Sequence, residues 1–124
     1  METSTQAGTE IVGVDIFGPS TPDGPRLIAF YRDVLGMNPT GHDEHGRGAE
    51  FELKDGTTFG VYQPENAQKG AGYGALFAVR DINAAVALFR SRGAQLSDPF
   101  ETPVCFMSFG QDPDGNMFGI HQRK

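Results

Sequence analysis

Asp55-Gly56-Thr57-Thr58-Phe59-Gly60-Val61-Tyr62-Gln63 recurs 59 positions later as Asp114-Gly115-Asn116-Met117-Phe118-Gly119-Ile120-His121-Gln122. Asp, Gly, Phe, Gly and Gln are identical between the two, and Val61/Ile120 is a conservative pair. Phe30 and Phe89, each within a helix-like stretch, keep the same separation. Self-similarity at a fixed period marks a repeated supersecondary unit. Two copies account for most of the 124 residues.

Working outward, each copy reads alike. Residues 11–17 alternate around Val12, Val14 and Ile16, a strand pattern. Gly18 to Gly24, with Pro19, Pro22 and Asp23, is turn chemistry. Leu27, Phe30, Tyr31, Val34 and Leu35 fall at helical spacing, with Pro25 suited to a first turn and Gly36 to a C-terminal cap. Residues 49–54 and 57–63 form a hairpin across Asp55-Gly56, a favoured turn pair. In the second copy, residues 73–79 alternate as a strand. Asp81 or Asn83 caps a helix carrying Ile82, Ala85, Val86 and Phe89, which Gly93 ends. Residues 95–101 are a weak strand, and 104–110 with 116–122 close the copy as a hairpin. The order is strand, helix, three strands, twice over. Module one spans 11–66 and module two 73–124, with a linker at 67–72 and a disordered tail at 1–10.

Composition narrows the function classes. Ten Lys+Arg against sixteen Asp+Glu give a net charge of −6 and no basic run, which excludes a phosphate-tracking surface and hence nucleic acid. No apolar stretch approaches the roughly 20 residues of a membrane span. The polar first ten residues lack the apolar segment of a secretion signal. The single Cys105 makes neither an internal disulfide nor a cysteine zinc site. The expectation is a cytoplasmic, single-domain, small-molecule handler. Seventeen glycines and eight prolines favour turns and strands over a helical bundle.

Alternation assigns the faces. Val12, Val14, Ile16, Phe51, Leu53, Phe59, Val61, Phe77, Val79, Phe118 and Ile120 form the helix-covered set. The opposite set comprises Gly13, Asp15, Phe17, Glu50, Glu52, Thr58, Gly60, Tyr62, Gly74, Leu76, Met117, Gly119 and His121. It is mixed, polar and glycine-rich, as suits a cleft.

Phe30-Tyr31-Arg32-Asp33-Val34-Leu35-Gly36 after the first strand and Asp112-Pro113-Asp114-Gly115-Asn116 before the last, set in this repeat, resemble the vicinal oxygen chelate superfamily of glyoxalases, bleomycin-resistance proteins and extradiol dioxygenases. The chain looks most like the stand-alone glyoxalase-like proteins of bacteria. The resemblance implies an α+β fold, with two βαβββ modules forming a curved, partly open sheet around a cleft, commonly completed as a homodimer. Residues 11–124 would then be a single glyoxalase-like domain. The superfamily's metal enzymes draw His or Glu ligands from the first and last strand of each module. Carried over, those positions are Gly13, Gly60, Gly74 and Gly119, none of which has a ligating side chain. No metal and no cofactor are therefore expected. The glycines either widen the cleft for a ligand or relieve curvature in the sheets.

Other candidates are weighed singly. His42-Asp43-Glu44-His45 has metal-like residue types, but it sits in a polar turn at 41–48 whose plain reading is a solvated loop or a lid. His121 is the best candidate for proton chemistry, since imidazole titrates near neutrality, unless it is frayed at the chain end. Asp15, Glu50 and Glu52 would make the cleft negative and favour a cationic or amine-bearing ligand. Phe17, Tyr62, Leu76, Met117, and Met107 or Phe109 could supply its walls. Whether Phe106 or Phe109 faces inward is open. Cys105 reads as a small buried residue.

The leading expectation is a metal-free protein binding a small organic molecule, a drug or metabolite, through Asp15, Phe17, Glu52, Tyr62, Leu76, Met117 and His121. The alternative is a glyoxalase-like lyase, dioxygenase or epimerase using displaced ligands or metal-free acid–base catalysis. A structural subunit with a vestigial cleft is a third reading.

Overall fold

The computed structural model describes Gly8, Thr9 and residues 14–69 and 74–124. Its elements run β1 (Ile16–Phe17), α1 (Gly24–Ala29), β2 (Gly41–His42), β3 (Ala49–Glu52), β4 (Thr58–Val61), β5 (Ala75–Ala78), α2 (Ile82–Ser91), β6 (Phe100–Glu101), β7 (Cys105–Gln111) and β8 (Met117–Arg123). They build two four-stranded sheets, ordered β1-β4-β3-β2 and β5-β8-β7-β6. In each, the first strand is parallel to the last and the other pairings are antiparallel. The strand-helix-three-strand repeat is thus a repeat of topology.

The turn glycines and the final glutamines of the repeat have identical uses. Gly56 and Gly115 hold the hairpin turns at φ +89 and +84, which a side chain disfavours. Gln63 and Gln122 each reach back to the start of their own module's helix. The Gln63 side-chain oxygen accepts from the Gly24 N–H at 2.8 Å, and that of Gln122 from the Ile82 N–H at 2.7 Å. First-turn N–H groups lack helical partners, so both helices are pinned to their last strands. Asp23 and Asp81 cap the same ends, accepting from Arg26 and Ala84 at 3.2 and 3.0 Å.

Three local expectations are corrected. The first helix does not stay α-helical: Phe30–Val34 widen into a π turn, with the Leu35 N–H donating to the Phe30 carbonyl. The polar turn at 41–48 begins with a strand, because Gly41 and His42 pair with Glu50 and Ala49. The faces of β1 are reversed: Phe17 pairs with Phe59 and packs edge-on against it at 5.5 Å, while Ile16 and Val14 are exposed. Only two residues pair here, and the register that buries the larger aromatic prevails over the Val-Val-Ile alternation. Phe17 accordingly leaves the open-face set. The expectations for residues 10–13 and 70–73, and for the tail apart from Gly8 and Thr9, lie outside the described residues.

The covered faces share one core. Tyr31, Phe51, Phe59, Phe118 and Ile120 are almost wholly buried, and rings of the two modules touch (Phe59–Phe77 at 5.4 Å, Phe30–Phe118 at 5.8 Å). A polar clasp joins the modules beside it. The Tyr31 hydroxyl donates to Asp112 Oδ2 at 2.7 Å, and the Thr21 hydroxyl donates to Asp114 Oδ2. Arg26 stands 3.5 Å from the other Asp114 oxygen. Asp112 also takes the N–H groups of Asp114 and Asn116 at 2.9 Å, so the Asp-Pro-Asp-Gly-Asn turn is organised around one buried carboxylate.

Candidate ligand-binding faces

Pairing register fixes what each uncovered sheet face presents. In module one, Glu52, Thr58 and Ile16 stand in one row and Glu50 and Gly60 in the next, followed by Tyr62. The Tyr62 ring lies back over Gly60, its hydroxyl donating to Glu50 Oε2 at 3.1 Å. A Cβ at Gly60 would stand 2.5 Å from that ring. Burial, then the hydrogen bond to Glu50 and the Glu50 charge, push the Tyr62 phenol above its ordinary range. Among the described residues no cation pairs with Glu50 or Glu52, so this face is acidic around one aromatic ring.

Module two is apolar where module one is acidic. Leu76, Gly119 and Phe109 form one row, and Ala78, His121, Met107 and Phe100 the next. Phe100 and Phe109 stack with centroids 6.0 Å apart and planes at 30°. Leu76 and Phe109 occupy the space over Gly119, where a Cβ would come within 2.5 and 2.9 Å of them. Met117 and Leu76 are each more than half exposed. His121 is not frayed: β8 pairs on both sides of it, and its carbonyl accepts from the Val79 N–H at 2.9 Å.

The candidates therefore separate. Glu52 and Tyr62 lie on the open face of module one, and Leu76, Met117 and His121 on that of module two. Phe17 faces the core instead, and the exposed Asp15 precedes β1 without being brought onto the face by pairing. Phe109 and Met107 both face outward from β7, whereas Phe106 packs against the core. Phe100 was not legible as a wall residue, because its strand has only two paired residues and follows Pro99.

The geometry does not suit metal chemistry of the superfamily kind. At Gly60 and Gly119, the positions where the resemblance would put ligands, the space is taken by an aromatic ring and by apolar side chains. Gly74 faces open space and Gly13 lies outside the described residues. Among the described residues, no group of three or more His, Cys, Asp or Glu could hold an ion. In the 42–45 loop Asp43 is a staple, its carboxylate accepting from the N–H groups of His45 and Arg47 at 3.2 and 2.8 Å. Desolvation is the largest single influence and acts to raise the Asp43 pKa, but the N–H groups of Arg47, Gly48 and His45 and the Arg47 charge together hold the group below the usual carboxylate range. Cys105 is buried beside the Thr102 hydroxyl at 3.0 Å.

Comparison with known proteins places the chain. The model of the Glyoxalase/Bleomycin resistance protein/Dioxygenase superfamily matches residues 14–120. The chain belongs to that superfamily. Among solved structures it is similar to TnmS3, an antibiotic binding protein from Streptomyces sp. CB03234, with a TM-score of 0.77 and 24% identity over 92% of this chain and 98% of that one. A glyoxalase/bleomycin resistance protein from the same organism gives 0.73 and 25% over 86% and 97%. Virulence protein STM3117 from Salmonella typhimurium gives 0.71 and 20% over 91% and 98%. Curated protein sequences give no significant match. No helix among the described residues is long and apolar enough to cross a membrane.

Proposed function

We propose that this superfamily member is a cytoplasmic, metal-free binding protein that holds a small, flat, amine-bearing organic molecule against its open sheet faces without turnover. The observation that carries this reading is the replacement at Gly60 and Gly119. Where a catalytic relative would project ligands, this chain lays down Tyr62 on one sheet and Leu76 with Phe109 on the other. Aromatic and thioether side chains stack on flat ligands, and Glu50 and Glu52, which no cation pairs among the described residues, favour a cation. Glu52, Tyr62, Leu76, Met117 and His121 are the contacts of this reading, joined by Phe109 and Phe100. The antibiotic-binding character of TnmS3 supports it.

A homodimer belongs to the same proposal. Val14 is 71% exposed, and Ile16, Leu76 and Met117 also stand open. These open apolar side chains are the surface that a second copy would cover in this reading.

The test is a titration of the full chain with 9-aminoacridine, a flat cation, and with anthracene-9-carboxylate, a flat anion. The cation should bind more tightly, be recovered chemically unchanged, and lose affinity about fivefold in each of Tyr62→Ala and Phe109→Ala. Equal or reversed preference, or variants that bind as the parent does, would overturn the reading. Conversion of the ligand that ceases in His121→Ala would instead make the protein an enzyme.

A further inference from the structure

The two halves of the repeat meet their opposite modules differently. In module two the hairpin turn is clasped to module one through Asp112–Tyr31 and Asp114–Thr21. The equivalent turn of module one has Leu53 where Asp112 stands, and Arg90 replaces Tyr31. Arg90 turns away, donating to the Leu96 carbonyl at 2.8 Å and to Asp98 at 2.9 Å. Among the described residues no hydrogen bond clasps this turn to module two; the modules are bonded nearby only where Arg92 donates to the Val34 carbonyl at 3.5 Å, and the joint beside the turn stays open. A groove of about 560 Å³ runs between the β3–β4 turn and β5, walled by Phe17, Met37, Leu53, Val79, Phe89 and Ile120. That volume lies within the roughly 300–1,000 Å³ of small-molecule sites.

One charge at its mouth is unspent. Lys54 lines the groove, and its ammonium has no hydrogen bond or ion pair among the described residues. The neighbouring Asp55 carboxylate accepts from the Thr57 N–H at 2.9 Å within its own turn. An apolar slot with a cation at its rim is complementary to an amphiphile with an anionic head.

We propose that this groove is a second binding site, which takes a straight-chain aliphatic carboxylate with its tail between the modules and its head at Lys54. Its walls are mostly helix-side residues, and of the open-face contacts named above only Leu76 also lines it, so the two readings can fail separately.

The experiment is a calorimetric titration of the full chain with dodecanoate and, in parallel, dodecanol, with amide NMR shifts to locate the site. Dodecanoate should shift the amides of residues 53–57 and 89. Lys54→Glu, an exposed substitution, should weaken dodecanoate about five- to tenfold and leave dodecanol unchanged. Met37→Trp, which fills the groove, should weaken both; should that variant fail to fold, the Lys54→Glu comparison decides alone. Absence of binding, shifts confined to Met107, Met117 and His121, or a Lys54→Glu protein that binds dodecanoate as the parent does would overturn the proposal. The last two would leave the open-face reading standing.

Discussion

Removing one oxygen tests the inter-module clasp. Tyr31→Phe keeps the ring that packs on Phe59 at 4.7 Å and on Phe77 at 6.3 Å, and deletes the hydroxyl that donates to buried Asp112 at 2.7 Å. A hydrogen bond to a charged group contributes about 1.5–3 kcal/mol net. Asp112 keeps the N–H groups of Asp114 and Asn116 and the Asn116 amide, so its carboxylate is not orphaned. The cost therefore falls in the lower part of that range, about 1.5–2 kcal/mol. For a domain of this size that lowers the Tm by about 5–10 °C. Asp112→Ala strips the same bond and leaves the Tyr31 hydroxyl and the Asp114 and Asn116 N–H groups without their acceptor, which at about 1–3 kcal/mol per buried unmet group should cost about 3–5 kcal/mol. Urea unfolding followed by far-UV circular dichroism, at one fixed protein concentration, measures both. If Tyr31→Phe fell within about 0.5 kcal/mol of the parent, the size of an ordinary surface substitution, the clasp would not hold the modules together.

Other outcomes follow from the same structure. The Tyr62 phenol should ionise above free tyrosine, and Glu50→Gln should bring it back toward the ordinary value, read by tyrosinate absorbance. Because folding raises this pKa, its contribution to stability is complete below the unfolded tyrosine value, near about 10, and is lost as pH rises through the folded one. Gln63→Ala and Gln122→Ala should each cost about 0.5–1.5 kcal/mol in urea unfolding, since each releases one helix-start N–H. A cost confined to one of the pair would contradict equal roles in the repeat. Gly60→Ala should dislodge Tyr62 from Glu50 and weaken 9-aminoacridine binding about as much as Tyr62→Ala does, by the same titration.

Much of the fold was legible because the repeat repeats its reasons. Turn glycines and helix caps fall at equivalent places, so the pattern of residues is a pattern of backbone demands. The failures sit where few residues pair. β1 has two, and alternation through Val12, Val14 and Ile16 competes there with one larger ring at Phe17, which the register with Phe59 decides. β2 has no apolar alternation, because an edge strand at 41–42 needs only backbone pairing. The role of Asp112 and Asp114 lay in contacts with Tyr31, Thr21 and Arg26, more than 80 residues away, and no local spacing encodes such partners. The open face of module two was half legible: Leu76 and Met117 showed in the alternation, whereas Phe100 belongs to it only through pairing with Met107.

The central claim is that this superfamily site has exchanged ligating side chains for a binding surface. It is tested most directly by the metal content of purified, untagged protein after incubation with zinc, nickel, manganese and iron followed by desalting. The account predicts retention near zero for all four metals. One tightly held ion per site would contradict it, and would turn attention to His121, Glu50, Glu52 and the His42–His45 loop as ligands.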